Sequence, residues 1–272
     1  MTTRRRLDEA LVAAGLAENR SRAKRLILAG KVRVDGAPSG KPGSPIGPDA
    51  ALEVARAARF VSRGGDKLAT PLAASGIDVS GRVALDIGAS TGGFTDCLLQ
   101  EGAALVVAVD VGYGQLAWSL RQDERVHIME RTNARHLEPA DLPPLPAPPS
   151  LLVMDVAFIG VGKVLPAVTR LCAPGADALV LVKPQFEAGP AQVEKGGVVR
   201  DAQVRRDAIT GVSESAQSLG WSVVAAHASP LRGPAGNWEC FLQLRLDSGA
   251  SHVEDWLEQL DVPDNGGASN RQ

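Results

Sequence analysis

Residues Val83 to Phe94 read Val-Ala-Leu-Asp-Ile-Gly-Ala-Ser-Thr-Gly-Gly-Phe, and a helix-forming stretch follows to Glu101. An apolar run that ends in an acid and turns on glycines into a helix constrains the fold more than any other stretch. An α/β sheet holds a nucleotide-like ligand at its carboxyl edge in this way. Glycine lets the backbone come close to a ligand, and a helix N-terminus offers unpaired N–H groups. Beyond this turn, apolar runs and helical stretches alternate. Strands are predicted at 83–87, 105–110, 126–129, 151–155, 178–183, 222–226 and 239–246, and helices at 161–171 and 205–219. This alternation implies a doubly wound, mostly parallel sheet covered on both faces. Five prolines between Pro143 and Pro149 place a surface loop before the fourth strand.

The N-terminal 60 residues read differently. Leu7, Leu11 and Val12 are spaced for a helix that stops at Gly15. Ser21 is the expected cap of a second helix over 22–29, closed by Gly30. Lys31 to Val34 alternates as a strand running into Asp35-Gly36. Residues 41–49 read as loop and 51–54 as a short strand. The chain therefore divides into a head, 1–60, a body, 61–250, and a short helix with a polar tail, 251–272.

Charge separates the first two parts. The head carries twelve basic and six acidic residues, a surplus of six; the remainder carries seventeen basic and twenty-five acidic, a deficit of eight. A basic head on an acidic body points to a polyanionic partner. The three cysteines, Cys97, Cys172 and Cys240, include no Cys-x-x-Cys pair, which argues against a disulfide framework or a zinc site and fits a reducing cytoplasm. No metal is expected. No apolar run reaches the roughly 18 residues of a membrane span, and the N-terminus has no apolar leader core.

Within the glycine turn the middle position is Ser90, so the spacing is Gly88-x-x-x-Gly92-Gly93 rather than the dinucleotide pattern. Asp110, at the end of the second strand, stands where a doubly wound fold sets an acid against ribose hydroxyls. Asp86 suits an ammonium group, directly or through water. Asn133, after the third strand, is a candidate for an adenine edge. The expected cofactor-binding set is Asp86, Gly88, Ala89, Ser90, Thr91, Gly92, Gly93, Phe94, Asp110 and Asn133, and the ligand it suits is S-adenosyl-L-methionine.

Four further charges fall at strand ends or in loops that gather at one edge: Lys67, Asp155, Lys183 and Glu239. A lysine that ends a buried apolar strand is costly unless paired or functional. Two resemblances bear on these residues. The head, through Arg6-Leu7-Asp8, Ser21-Arg22-Ala23 and Ala29 to Gly36, resembles the small RNA-binding domain of ribosomal protein S-four. That resemblance implies RNA contacts from Arg4, Arg6, Arg20, Arg22, Lys24, Arg25, Lys31 and Arg33, with Arg63 at the start of the body. The order Lys-Asp-Lys-Glu with the glycine loop resembles the ribose 2'-O-methyltransferases of the FtsJ type. Over nearly all of residues 3–246 the chain is similar to the TlyA family, historically called haemolysins. The motifs carrying this are 62–65, 86–94, 110–116, 130–135, 182–187, Gly233-Pro234 and Gly236-Asn237.

The resemblance implies methyl transfer to a ribose hydroxyl of cytidine in 16S or 23S ribosomal RNA, with ribosomal subunits as partners. Extra residues at both ends lean towards both targets. Lys183, held by Asp155 and Glu239, would stabilise the alkoxide or accept its proton, and Lys67 would orient the ribose and Asp155. The chain departs from the family pattern Asp-x-Ser-Phe-Ile-Ser at Ala157 and Gly160, losing both hydroxyls. That departure favours a non-catalytic ribosome-assembly factor; the intact set of four opposes it. A membrane-lytic protein lacks a span or a basic amphipathic anchor, and a dehydrogenase is weakened by the glycine spacing.

Overall fold

The computed structural model describes residues 4–55, 58–247, 257 and 260–263. The chain divides into two compact units, Met1–Ala58 and Arg59–Gln272. Most of the expected helix and tail over 251–272 lies outside the described residues.

The first unit runs β1 (Arg5–Arg6), α1 (Leu7–Ala13), α2 (Arg20–Leu28), β2 (Val32–Val34), β3 (Ala37–Pro38), β4 (Pro45–Ile46) and β5 (Leu52–Val54). Leu7, Leu11, Ala23, Ile27 and Val32 are fully buried and form its core. β2 pairs antiparallel with β3 and β5. Two local expectations change. Asn19 caps α2, not Ser21: its side chain accepts the Arg22 N–H, and Asn is as good a cap as Ser. The 41–49 loop contains β4, which pairs with β1.

The second unit runs α3 (Arg63–Ser75), β6 (Val83–Ile87), α4 (Gly93–Gln100), β7 (Leu105–Val109), α5 (Trp118–Arg121), β8 (Val126–Met129), β9 (Leu151–Met154), α6 (Leu165–Thr169), β10 (Asp177–Val182), α7 (Pro184–Glu187), α8 (Ala202–Gln217), β11 (Trp221–Ala228) and β12 (Cys240–Leu246). Its seven strands lie in the order β11-β12-β10-β9-β6-β7-β8, with β12 antiparallel to both neighbours and the other pairings parallel. Alternate strand residues face opposite sides. Leu85, Val107, Leu152 and Val180 pack with Leu165 of α6 and Ile209 of α8. Ala84, Val106, Val153 and Leu179 pack with Leu68 of α3 and Leu98 of α4. Both faces are therefore covered, and the central strands can be continuously apolar.

Two consequences position a site. The chain winds outward from β6 to β8 and then crosses back to β9, so a crevice opens beyond the carboxyl ends of β6, β7 and β9. The antiparallel β12 starts at that same edge, because Cys240 pairs with Val182. Glu239 is thereby brought to the edge where Lys183 leaves β10, but its carboxylate meets Lys67 rather than holding Lys183 as expected. Among the described residues, no helix is long and apolar enough to cross a membrane.

Candidate active site

The crevice is a cavity of about 480 Å³ lined by the ends of β6, β7 and β9. Its walls are apolar at Ile87, Val109, Val111 and Ile159 and polar at Ser90, Asp110, Thr132 and Asn133. Asp110 is fixed by backbone donors: Gly112 N–H donates to Oδ1 at 2.7 Å and Ser90 N–H to Oδ2 at 2.8 Å. Each carboxylate oxygen accepts more than one hydrogen bond, so both keep capacity for a ligand. Gly88 has φ +86°, and a Cβ there would lie 2.9 Å from the Asp155 carbonyl carbon and nearer still to its oxygen. Only glycine lets the β6 turn pass the end of β9.

Asp86 is fully buried and lies outside the cavity lining. Thr95 donates its hydroxyl to Oδ2 at 2.6 Å, whereas Oδ1 has no partner among the described residues. Burial, more than the neighbouring Asp155 and Asp110 charges, pushes its carboxyl up to about 7 against the opposing Thr95 bond.

Four charges meet at the edge beside this cavity. Lys183 Nζ lies 2.5 Å from Asp155 Oδ1. Lys67 Nζ, on α3, lies 2.6 Å from Glu239 Oε2 and 4.0 Å from Asp155 Oδ2. The order Lys183–Asp155–Lys67–Glu239 is thus a chain of alternating charges. Its side chains are withdrawn from water: Lys183 is 11% exposed, Lys67 12% and Glu239 1%. Gln185 donates to the second oxygen of Glu239 at 3.0 Å. Such desolvated pairs strengthen one another and fix geometry.

Residues 60–246 match the family model of FtsJ-like methyltransferases. The chain belongs to that family, on its TlyA branch. Residues 5–52 match the S4 domain. A Mycobacterium tuberculosis protein named 16S/23S rRNA (cytidine-2'-O)-methyltransferase TlyA is 51% identical over 260 residues, covering 95% of this chain and 96% of its own. Hemolysin A of Brachyspira hyodysenteriae is 39% identical over 86% of this chain and 97% of its own. A solved Streptococcus thermophilus chain that carries a hemolysin label superimposes with a TM-score of 0.72 at 40% identity, covering 95% of this chain and 94% of that one.

In this FtsJ-like methyltransferase the sequence-derived residues fall into three groups. Lys67, Asp155, Lys183 and Glu239 come together. Of the cofactor set, Gly88, Ser90, Asp110 and Asn133 line the cavity. Asp86, Ala89, Thr91, Gly92, Gly93 and Phe94 do not: the last packs on Phe241 at 5.9 Å, and a Cβ at Gly93 would lie 2.7 Å from Gly65 N at the start of α3. These two positions serve the packing that places Lys67. In the S4 unit, Arg4, Arg22, Lys24, Arg25 and Lys31 are exposed. Arg6, Arg20 and Arg33 are exposed too but engaged: Arg6 and Arg20 pair with buried Asp8, at 3.0 and 3.3 Å, and Arg33 donates to the Gly36 carbonyl. Arg63 is exposed at the start of α3.

Composition and spacing gave no role to several residues the fold brings in. Gln185 supports Glu239, and Thr95 supports Asp86. Asn237, 1% exposed, accepts from Val199 N–H and donates to the Gly197 carbonyl. Glu130 accepts from Gly114 N–H, pairs with Arg121 and so holds the loop after β7. Phe158, exposed on the cavity wall, is the signal a search for lone aromatics beside strand ends would have found.

Proposed function

We propose that this chain transfers a methyl group from S-adenosyl-L-methionine to a ribose 2'-hydroxyl of cytidine in 16S and 23S ribosomal RNA. The observation that carries this is the Lys183–Asp155–Lys67–Glu239 chain at the mouth of a nucleotide-sized crevice. Family membership and the named activity of the M. tuberculosis relative, across almost its whole length, support the substrate.

The residues present fit the donor. A cavity of about 480 Å³ is within the range of small-molecule sites. Asp110 offers acceptor capacity for ribose hydroxyls, Asn133 a polar edge for adenine, and Val109, Val111 and Ile159 apolar walls. Asp86, fully buried behind the cavity lining, has one unpartnered oxygen and would answer a cationic ammonium through water. When bound, S-adenosylmethionine supplies an electrophilic methyl group.

What remains is to position a hydroxyl and dispose of its proton. Lys183 Nζ is the group aimed at that oxygen: as the ammonium it stabilises the developing alkoxide, and as the neutral amine it accepts the proton. Asp155 fixes Lys183 from one side. Lys67, held by Glu239, keeps Asp155 from turning away and meets the ribose. Gln185 keeps Glu239 in register. The exposed cations of the S4 unit contact RNA phosphates, giving affinity with little base discrimination. A ribosomal substrate sets this work in the cytoplasm.

The test is mass mapping of ribose methylation on ribosomal RNA from cells with and without the protein. Cytidine 2'-O-methyl groups that vanish from both subunits are the expected result; unchanged maps sink the proposal.

A further inference from the structure

Three contacts tie the segment after β9 to the segment after β10. Asp155 meets Lys183. The Phe158 ring lies 5.3 Å from the Phe186 ring, tilted by 49°. The third contact lies outside the reacting set: Val161 N–H donates to Glu187 Oε1 at 2.8 Å. Glu187 ends α7, one helical turn after Lys183.

The backbone between these anchors cannot hold itself. Residues 155–160 belong to no helix or strand. Phe158 within them has φ +64° and is 92% exposed, a conformation that a bulky residue keeps only when its flanks are fixed. One flank is the Asp155–Lys183 pair. The other is the Gly160–Val161 turn on Glu187. Gly160 matters here, since a Cβ at that position would lie 2.8 Å from Glu187 Oε2. The position where the family pattern carries a serine is bare in this chain, and the carboxylate closes directly on the backbone. Glu187 is half-buried, and that burial raises its carboxyl above the ordinary glutamate range, opposed by the Val161 bond and the Lys163 charge.

Resting on the methyl-transfer reading above, we infer that Glu187 is a positioning residue. By gripping the Gly160–Val161 turn it sets the height of the segment that carries Asp155 and Phe158, and hence the approach of Asp155 to Lys183.

The full chain is compared with Glu187→Ala, Glu187→Gln and Gly160→Ala. Two readouts are taken, amide hydrogen exchange over residues 156–161 and the kcat and KM of RNA methylation. Glu187→Ala is expected to speed exchange in that segment by at least about tenfold, whereas Gly160→Ala, whose methyl meets the movable end of the Glu187 side chain, stays within about threefold. Glu187→Ala should lower kcat by about tenfold or more, with KM for RNA within about threefold. Glu187→Gln keeps a carbonyl acceptor for Val161 and stays within about threefold of wild type in both. Unchanged exchange in Glu187→Ala, or Glu187→Gln as impaired as Glu187→Ala, overturns the inference. If exchange responds as expected but the wild type transfers no methyl group, the anchor stands and the methyl-transfer reading falls. If the wild type is active and Glu187→Ala keeps its kcat, the positioning role alone falls.

Discussion

In the first unit the cations stand out in water: Arg22, Lys24, Arg25 and Lys31 lie exposed on or just after α2. At the edge of the large sheet the charges are few, withdrawn and joined, Lys183 to Asp155 and Lys67 to Glu239. Exposed charges act through a screened field, so each adds a small and nearly independent increment. Desolvated pairs act as one body, because removing a member leaves its partner buried and unpaired. Losses in the head should therefore be graded and salt-dependent. Losses at the edge should be steep, and nearly as large for one residue as for several.

The sharpest break of this contrast is Lys183→Ala. It is expected to lower the rate of methyl transfer by at least about 10³-fold while leaving calorimetric affinity for S-adenosylmethionine within about threefold. A variant with near-normal turnover would remove Lys183 from the reacting role. Next comes Asp86, a buried acid with no ion-pair partner among the described residues. Its native carboxyl titrates at about 7, with burial the main cause, while an unfolded-chain aspartate titrates near about 3.9. Between those values the native state holds a proton that the unfolded chain has released, so stability falls as pH rises through that window, by up to about 4 kcal/mol. Asp86→Asn should flatten the profile of Tm against pH between about 4 and 7; a profile as steep as wild type contradicts this.

Glu239→Ala strands the Lys67 ammonium and should cost about 3 kcal/mol in denaturant unfolding. The double variant Glu239→Ala with Lys67→Met should recover much of that loss without recovering activity. Additive losses in the double variant would show that the pair is not coupled. The smallest effects belong to the head. Arg22→Ala, Lys24→Ala and Arg25→Ala should each weaken RNA binding severalfold and reduce the slope of log affinity against log salt by about 0.7. Arg6→Ala should behave differently, lowering thermal stability as well, because it uncovers Asp8. Equal salt slopes for Arg6 and Arg22 variants with no stability difference would erase that distinction.

The large sheet was legible because its strands are apolar on both faces and end in chemistry. The strands predicted at 83–87 and 126–129 coincide with β6 and β8, and the others agree within two residues or so. α3 left no clear periodic trace: Gly64, Gly65 and Pro71 weaken its propensity, and it forms through the Ser62 cap and the burial of Leu68 and Leu72. β4 has two residues and exists only through β1, a pairing no local pattern carries. The meeting of the four charges could be expected from their order at strand ends. Their pairing could not, since it depends on β12 running antiparallel and delivering Glu239 to Lys67. Gly92, Gly93 and Phe94 carry a pattern that suits a ligand, yet glycine in a strand–helix turn serves close packing equally well, and at Gly93 it does so against α3.

At residue 88 there is no room for a methyl group. The β6 turn and the end of β9 touch through bare backbone, so the wall of the proposed donor crevice is also the mounting of Asp155. Redesign for bulkier donor analogues is therefore blocked from this side, since any side chain at 88 displaces the acid that holds Lys183. Space has to be won from Val111, Ile159 or Phe158, where the crevice is walled by side chains that can be shortened. Donor range and catalytic alignment are separable on those walls and inseparable at Gly88.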